Sequence, residues 1–182
     1  MSSIKESIKE FFLKRKLEKA IKGNSAERYS VPFARAKSVG IYFNTDNAKY
    51  SKQINEFVKG LKKEGKQVEA VTYLNDSQDN PYDFSYHVLK DENINLFGEI
   101  QAEKIHQFID TPFDYLFCIS DDLNLPVKYM LAASKAKCRV GLHSENNEPL
   151  FDFMMSGSKK GDLQEFIRNI LRYTSHIAKE MA

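Results

Sequence analysis

Hydrophobic residues fall into two kinds of pattern along the chain, and their alternation predicts the elements. Four short runs are apolar on both faces: SVGIYF (Ser38 to Phe43), QVEAVTYL (Gln67 to Leu74), FDYLFCIS (Phe113 to Ser120) and KCRVGLHS (Lys137 to Ser144). Such runs are strands covered by helices on both sides. Between the first two, Tyr50, Ile54, Phe57, Val58 and Leu61 recur at helical spacing and Gly65 closes the helix, with Lys52, Lys59, Lys62 and Lys63 on its solvent side. Between the last two, Asn124 is a helix cap with Pro126 in the first turn, where its missing N–H costs nothing. Each trio is a βαβ unit, which calls for a parallel sheet. Val39 to Phe43, Val68 to Leu74, Tyr115 to Ile119 and Arg139 to Leu142 are the expected central strands.

The remaining segments fit around this core. A polar loop from Asn75 to Asp83 precedes a short SYHVLK strand, and NINLFGEI leads into a helix around Ile105 to Ile109. After the turn-rich ENNEP, LFDFMM reads as an edge strand or an extended cover. The closing helix has Asp162 and Glu165 as a capping pair, and Leu163, Phe166, Ile167, Ile170, Leu171, Thr174, Ile177 and Ala178 at strict helical spacing. The expected architecture is α/β, a three-layer Rossmann-like domain with a mainly parallel sheet over 37–182, preceded by a basic amphipathic helical arm over 1–28.

Charge divides the chain in the same place. Residues 1–37 hold ten Lys/Arg against four Glu, whereas the remainder holds seventeen against twenty-one Asp/Glu. A basic arm on a mildly acidic body points to RNA, a ribonucleoprotein, a protein partner or anionic lipid. From Ser3 to Lys22 the residues are good helix formers, with Gly23 and Asn24 as the stop. Ile4, Ile8, Phe11 and Phe12 fall on one arc, and Leu13, Leu17, Ala20 and Ile21 on nearly the opposite one. Either the helix bends near Phe12 or its two halves touch different surfaces, such as the body and a partner. A membrane-surface helix wants one continuous apolar face, which places lipid below RNA or protein. Lys9, Lys14, Arg15, Lys16, Lys19 and Lys22 are the expected partner-binding charges, with Phe11 and Phe12 as apolar anchors.

Composition narrows the chemistry. At 182 residues and 42% hydrophobic, the chain can build one sizeable core. No run approaches the length of a membrane span, and the first residues mix charged with apolar positions, so a cytoplasmic protein is expected. Cys118 and Cys138 lack the spacing of metal or redox pairs and read as buried thiols. No GxGxxG, GK[ST] or GxSxG motif occurs, and His87, His106 and His176 stand singly. No cofactor and no metal site is expected. In an open parallel sheet, ligands bind beyond the carboxyl ends of the strands. That rule singles out Asn44, Thr45 and Asp46; Ser120, Asp121 and Asp122; and His143, Ser144 and Glu145. Asp46, Asp121, Asp122 and His143 are the catalytic candidates of an enzyme reading, although helix caps and turns use the same residue types.

Two resemblances follow from these segments. NLFGEI at Asn95 to Ile100, the stretch from Phe113 to Glu148, and FDFMM at Phe151 to Met155 resemble an uncharacterised protein family found mainly in Bacteroidota, and the likeness covers nearly the whole chain. It implies no activity, cofactor or catalytic residue. Phe113 to Gly141 is also similar to the N-terminal half of heptosyltransferase-type glycosyltransferases, in the order of a strand, a helix and an AxxRVG-like strand. There the glycine-containing loop expected after the first strand is replaced by NTDNAK. The function expected is a non-catalytic binding or adaptor protein working through its basic N-terminal helix. The alternative is a glycosyltransferase-like enzyme or small-ligand binder at the carboxyl edge of the sheet.

Overall fold

The computed structural model describes residues 2–44, 51–74, 84–120, 122–155, 165–170 and 172. The first helix, α1 (Ser2–Gly23), is followed by β1 (Ser38–Phe43), α2 (Ser51–Lys63), β2 (Gln67–Tyr73) and β3 (His87–Leu89). Then come α3 (Glu103–Asp110), β4 (Tyr115–Ile119), α4 (Leu125–Ala133), β5 (Arg139–Leu142) and β6 (Phe153–Met155), and residues 165–170 are again helical. The β2 strand begins and ends one residue earlier than the pattern predicts. LFDFMM contributes the edge strand β6. The Asp162 end of the predicted capping pair lies outside the described residues.

All six strands are parallel and lie in the order β3-β2-β1-β4-β5-β6. Val39 sits opposite Val68 on one side and Tyr115 on the other. Because side chains alternate across a strand, the unbroken apolar runs supply two faces at once. Val39, Ile41, Phe43, Tyr115, Phe117 and Ile119 pack with Ile54, Phe57, Val58 and Leu61 of α2 and with Phe166 and Ile170. Tyr42, Leu116 and Cys118 point the other way, into a cluster with Ile105 and Phe108 of α3 and Val127, Met130 and Leu131 of α4. The result is a three-layer, Rossmann-like arrangement with helices on both sides of the sheet.

Helix α4 starts as its sequence dictates: the Asn124 side chain accepts from the Val127 N–H at 3.1 Å. Helix α1 is continuous and lies outside α4, with Leu13 2% exposed and Leu17 and Ala20 packed on the α3/α4 cluster. No described helix is long and apolar enough to cross a membrane.

Candidate functional site

The carboxyl edge of the sheet holds only part of its expected set in view. Thr45, Asp46 and Asp121 lie outside the described residues. Asp122 is exposed, and its backbone is tied to the neighbouring hydroxyl: Ser120 Oγ donates to the Asp122 carbonyl at 2.8 Å. His143 is also exposed, its Nε2 4.0 Å from Glu148 Oε1. Among the described residues, no group of three or more His, Cys, Asp or Glu side chains could hold a metal ion. The edge does lie at a topological switch, because β1 and β4 are neighbours whose chains leave toward opposite sides of the sheet.

The opposite, amino edge is closed by a charged network. Asp114 accepts from the backbone N–H groups of Lys37 and Ser38 at 2.7 and 3.1 Å and from Lys137 Nζ at 2.7 Å. Burial alone would raise its carboxyl, but the Lys137 and backbone hydrogen bonds outweigh it and hold the group below its ordinary value. Arg139 grips Asp152 with two nitrogens, and Arg28 donates to the carbonyls of Ser134 and Ala136. A cavity of about 250 Å³ lies among Arg28, Tyr29, Lys137, Cys138 and Asp152. Its cations already have protein partners, so the network fastens the 24–37 segment to the sheet. Burial pushes the Cys138 thiol up to about 12 and raises that of Cys118 as well, which leaves both unreactive.

The arm's candidate residues divide into two sets. Lys9 Nζ donates to the Asp91 carbonyl at 2.8 Å and pairs with Asp91 Oδ1 at 3.2 Å; Lys16 pairs with Glu99 at 3.6 Å. These two cations hold α1 to the body. Lys14 pairs with Glu10 within the helix at 2.6 Å, and the Arg15 guanidinium lies 5.8 Å over the Phe11 ring. Lys19 and Lys22 are exposed, with no acidic partner among the described residues. Leu13, Leu17 and Ala20 form the inward arc, while Ile4, Ile8 and Phe11 remain exposed. Ile21, expected on the inward arc, is 39% exposed. It stands about 80° round the helix from Leu13, at the margin of the contact.

A segment about 80 positions downstream completes the exposed face. Asn95 folds NLFGE into a closed turn: its Oδ1 accepts from the N–H groups of Phe97 and Glu99 at 2.9 and 3.0 Å, and its Nδ2 donates to Glu99 Oε2 at 2.9 Å. A bridge between Ile94 and Ile100 closes the base. The Asn95 amide first, and then the Lys16 charge, hold the Glu99 carboxyl below the ordinary range. Gly98 has φ +67°, and a Cβ there would lie 2.8 Å from the Leu13 backbone nitrogen, so the turn sits directly on α1. Leu96 and Phe97 are thereby presented outward, 45% and 60% exposed. The Phe12 ring bridges the two segments, edge-on to Phe11 at 5.6 Å and to Phe97 at 5.7 Å. Sequence reasoning passed over this turn; the signal was Asn95 and Gly98 bracketing two large apolar residues that no helical or strand period could bury.

Residues 9–177 match a family described as a family of unknown function (DUF6913). No curated protein matches the chain.

Proposed function

The chain belongs to DUF6913, a family of unknown function, and for it we propose a non-catalytic binding role, that of a cytoplasmic adaptor engaging a larger partner through the outer face of α1 and the 95–99 turn. The observation that carries this reading is the exposure of Ile4, Ile8, Phe11, Leu96 and Phe97 as one neighbourhood on α1 and a hydrogen-bonded turn. Large apolar side chains left in water on a hydrogen-bonded turn gain nothing for folding, and contiguous exposed apolar patches mark interaction sites. Arg15, Lys19 and Lys22 extend the same helix with positive charge. The test is retention from a native-host extract by immobilised wild type and by the Phe11→Ser/Phe97→Ser variant. Protein, RNA or lipid held by wild type and lost by the variant, at unchanged Tm, supports the reading. Equal retention by both overturns it.

A second reading has one observation in its favour. The adjacency of β1 and β4 is a topological switch point, the place at which open parallel sheets bind nucleotides. A sugar nucleotide or divalent ion at about 100 times its Kd should then stabilise the protein by about 2.7 kcal/mol. Asp122→Ala and His143→Ala should remove that shift; an unchanged Tm across the panel eliminates this reading.

A further inference from the structure

We propose that the outer face of α1 and the 95–99 turn dock on an anionic lipid bilayer. The inference rests on the binding role above and names its partner. The opposed apolar arcs of α1 argue against lipid only while the helix is considered alone. In the folded chain the Leu13/Leu17/Ala20 arc is covered by the body, and the other arc acquires Leu96 and Phe97. Ile4, Ile8, Phe11, Leu96 and Phe97 thus form one apolar area built from a helix and a turn tip.

The chemistry of these side chains separates the possible partners. Nucleobases stack on aromatic rings, and here that would use Phe11 and Phe97 while leaving Ile4, Ile8 and Leu96 in water. The acyl boundary of a bilayer accepts aliphatic and aromatic groups alike. None of the five residues lines the amino-edge cavity or the groove between α2 and the 165–170 helix. A bilayer needs no matching groove.

Charge complementarity supplies the remaining argument. Lys5 flanks Ile4 and Ile8, and Arg15, Lys19 and Lys22 continue the outward side beyond Phe11, with Glu18 the acid that shares that stretch. Lys5, Lys19 and Lys22 have no acidic partner among the described residues, whereas Lys9 and Lys16 are held by Asp91 and Glu99. Apolar side chains beside unpaired cations match a surface that is apolar below and negatively charged at its headgroups. The Asn95 hydrogen bonds and the close approach of Gly98 to Leu13 hold Phe97 in place before contact, so insertion requires little further ordering.

Vesicle co-sedimentation tests the proposal. Wild type should bind phosphatidylcholine vesicles containing about 30% phosphatidylserine at least about tenfold better than pure phosphatidylcholine. Phe11→Ser/Phe97→Ser and Arg15→Glu/Lys19→Glu/Lys22→Glu should each lower that binding about tenfold. The chain has no tryptophan, so Phe97→Trp provides a single reporter, whose emission should shift to the blue on the anionic vesicles. Absent or headgroup-independent binding overturns the proposal, as does an unshifted emission from vesicle-bound protein. If instead poly(U) RNA or a host protein is retained through Phe11 and Phe97 while vesicles are not, the lipid inference falls and the binding role stands. If the Phe11→Ser/Phe97→Ser variant loses nothing in any arm, both fall.

Discussion

Leu13 and Phe11 sit two positions apart on the same helix, and their environments differ enough to give opposite outcomes on truncation. Leu13 is 2% exposed against the body, so Leu13→Ala should lower unfolding free energy by about 3 kcal/mol. Phe11 is 55% exposed, and Phe11→Ala should change it by no more than about 0.5 kcal/mol. Urea denaturation of the two variants checks the contrast. Gly98 is constrained twice, by its left-handed backbone and by the Leu13 main chain beside it. Gly98→Ala should therefore cost about 2 kcal/mol or more, since an L side chain is strained at that φ and neither backbone can move aside cheaply. Its chemical-shift changes should concentrate at residues 95–99 and around Leu13; a variant as stable as wild type would show that the turn does not rest on the helix.

Among the elements, α4 is the one whose local sequence and observed geometry agree most closely. Asn124 caps it and Pro126 occupies its first turn. Asn124→Ala should cost about 1 kcal/mol, read as a lower urea midpoint at unchanged slope, because the Val127 N–H loses its acceptor. Helix α1 is the contrary case. Its two arcs were legible as periodicity, and so was the conflict between them. Which arc faces the body was not, because that depends on α4 and on the 95–99 turn meeting it. Lys9 and Lys16 show the same limit: they read as partner-binding charges beside Lys19 and Lys22, and Asp91 and Glu99 lie too far along the chain for any local pattern to reveal the pairing.

For the whole molecule, Asp114 joins the segment after α1, the start of β1 and the approach to β5 at one carboxylate. Its folded carboxyl titrates below the ordinary 3.8 of the unfolded chain. Above 3.8 the ionised group therefore contributes its full stabilisation; as pH falls from 3.8 through the lower folded value the unfolded state already holds the extra proton, and that contribution is lost. Asp114→Asn should be less stable than wild type by about 2 kcal/mol at neutral pH. The difference should shrink as pH drops below 3.8. Parallel urea titrations from neutral to acid pH measure it; a gap that stays constant would mean the carboxylate's charge is not what holds the amino edge.

The sequence by itself determined the four central strands, the parallel βαβ units and the two-sided burial of the sheet. Those features arise from the period of apolar residues, a property each segment carries alone. It also determined the α4 cap, which needs only Asn124 and the N–H three residues on. Tertiary structure decided the strand order, the face α1 turns to the body, which of its lysines are held in ion pairs, and the meeting of Phe11 with Phe97 through Phe12. Those depend on contacts between residues tens of positions apart, whose energies have no signature in any one stretch of chain. Of the carboxyl-edge candidates, Asp46 and Asp121 lie outside the described residues, and Asp122 and His143 are exposed. The 95–99 turn became recognisable as part of a surface once the fold had placed it against α1.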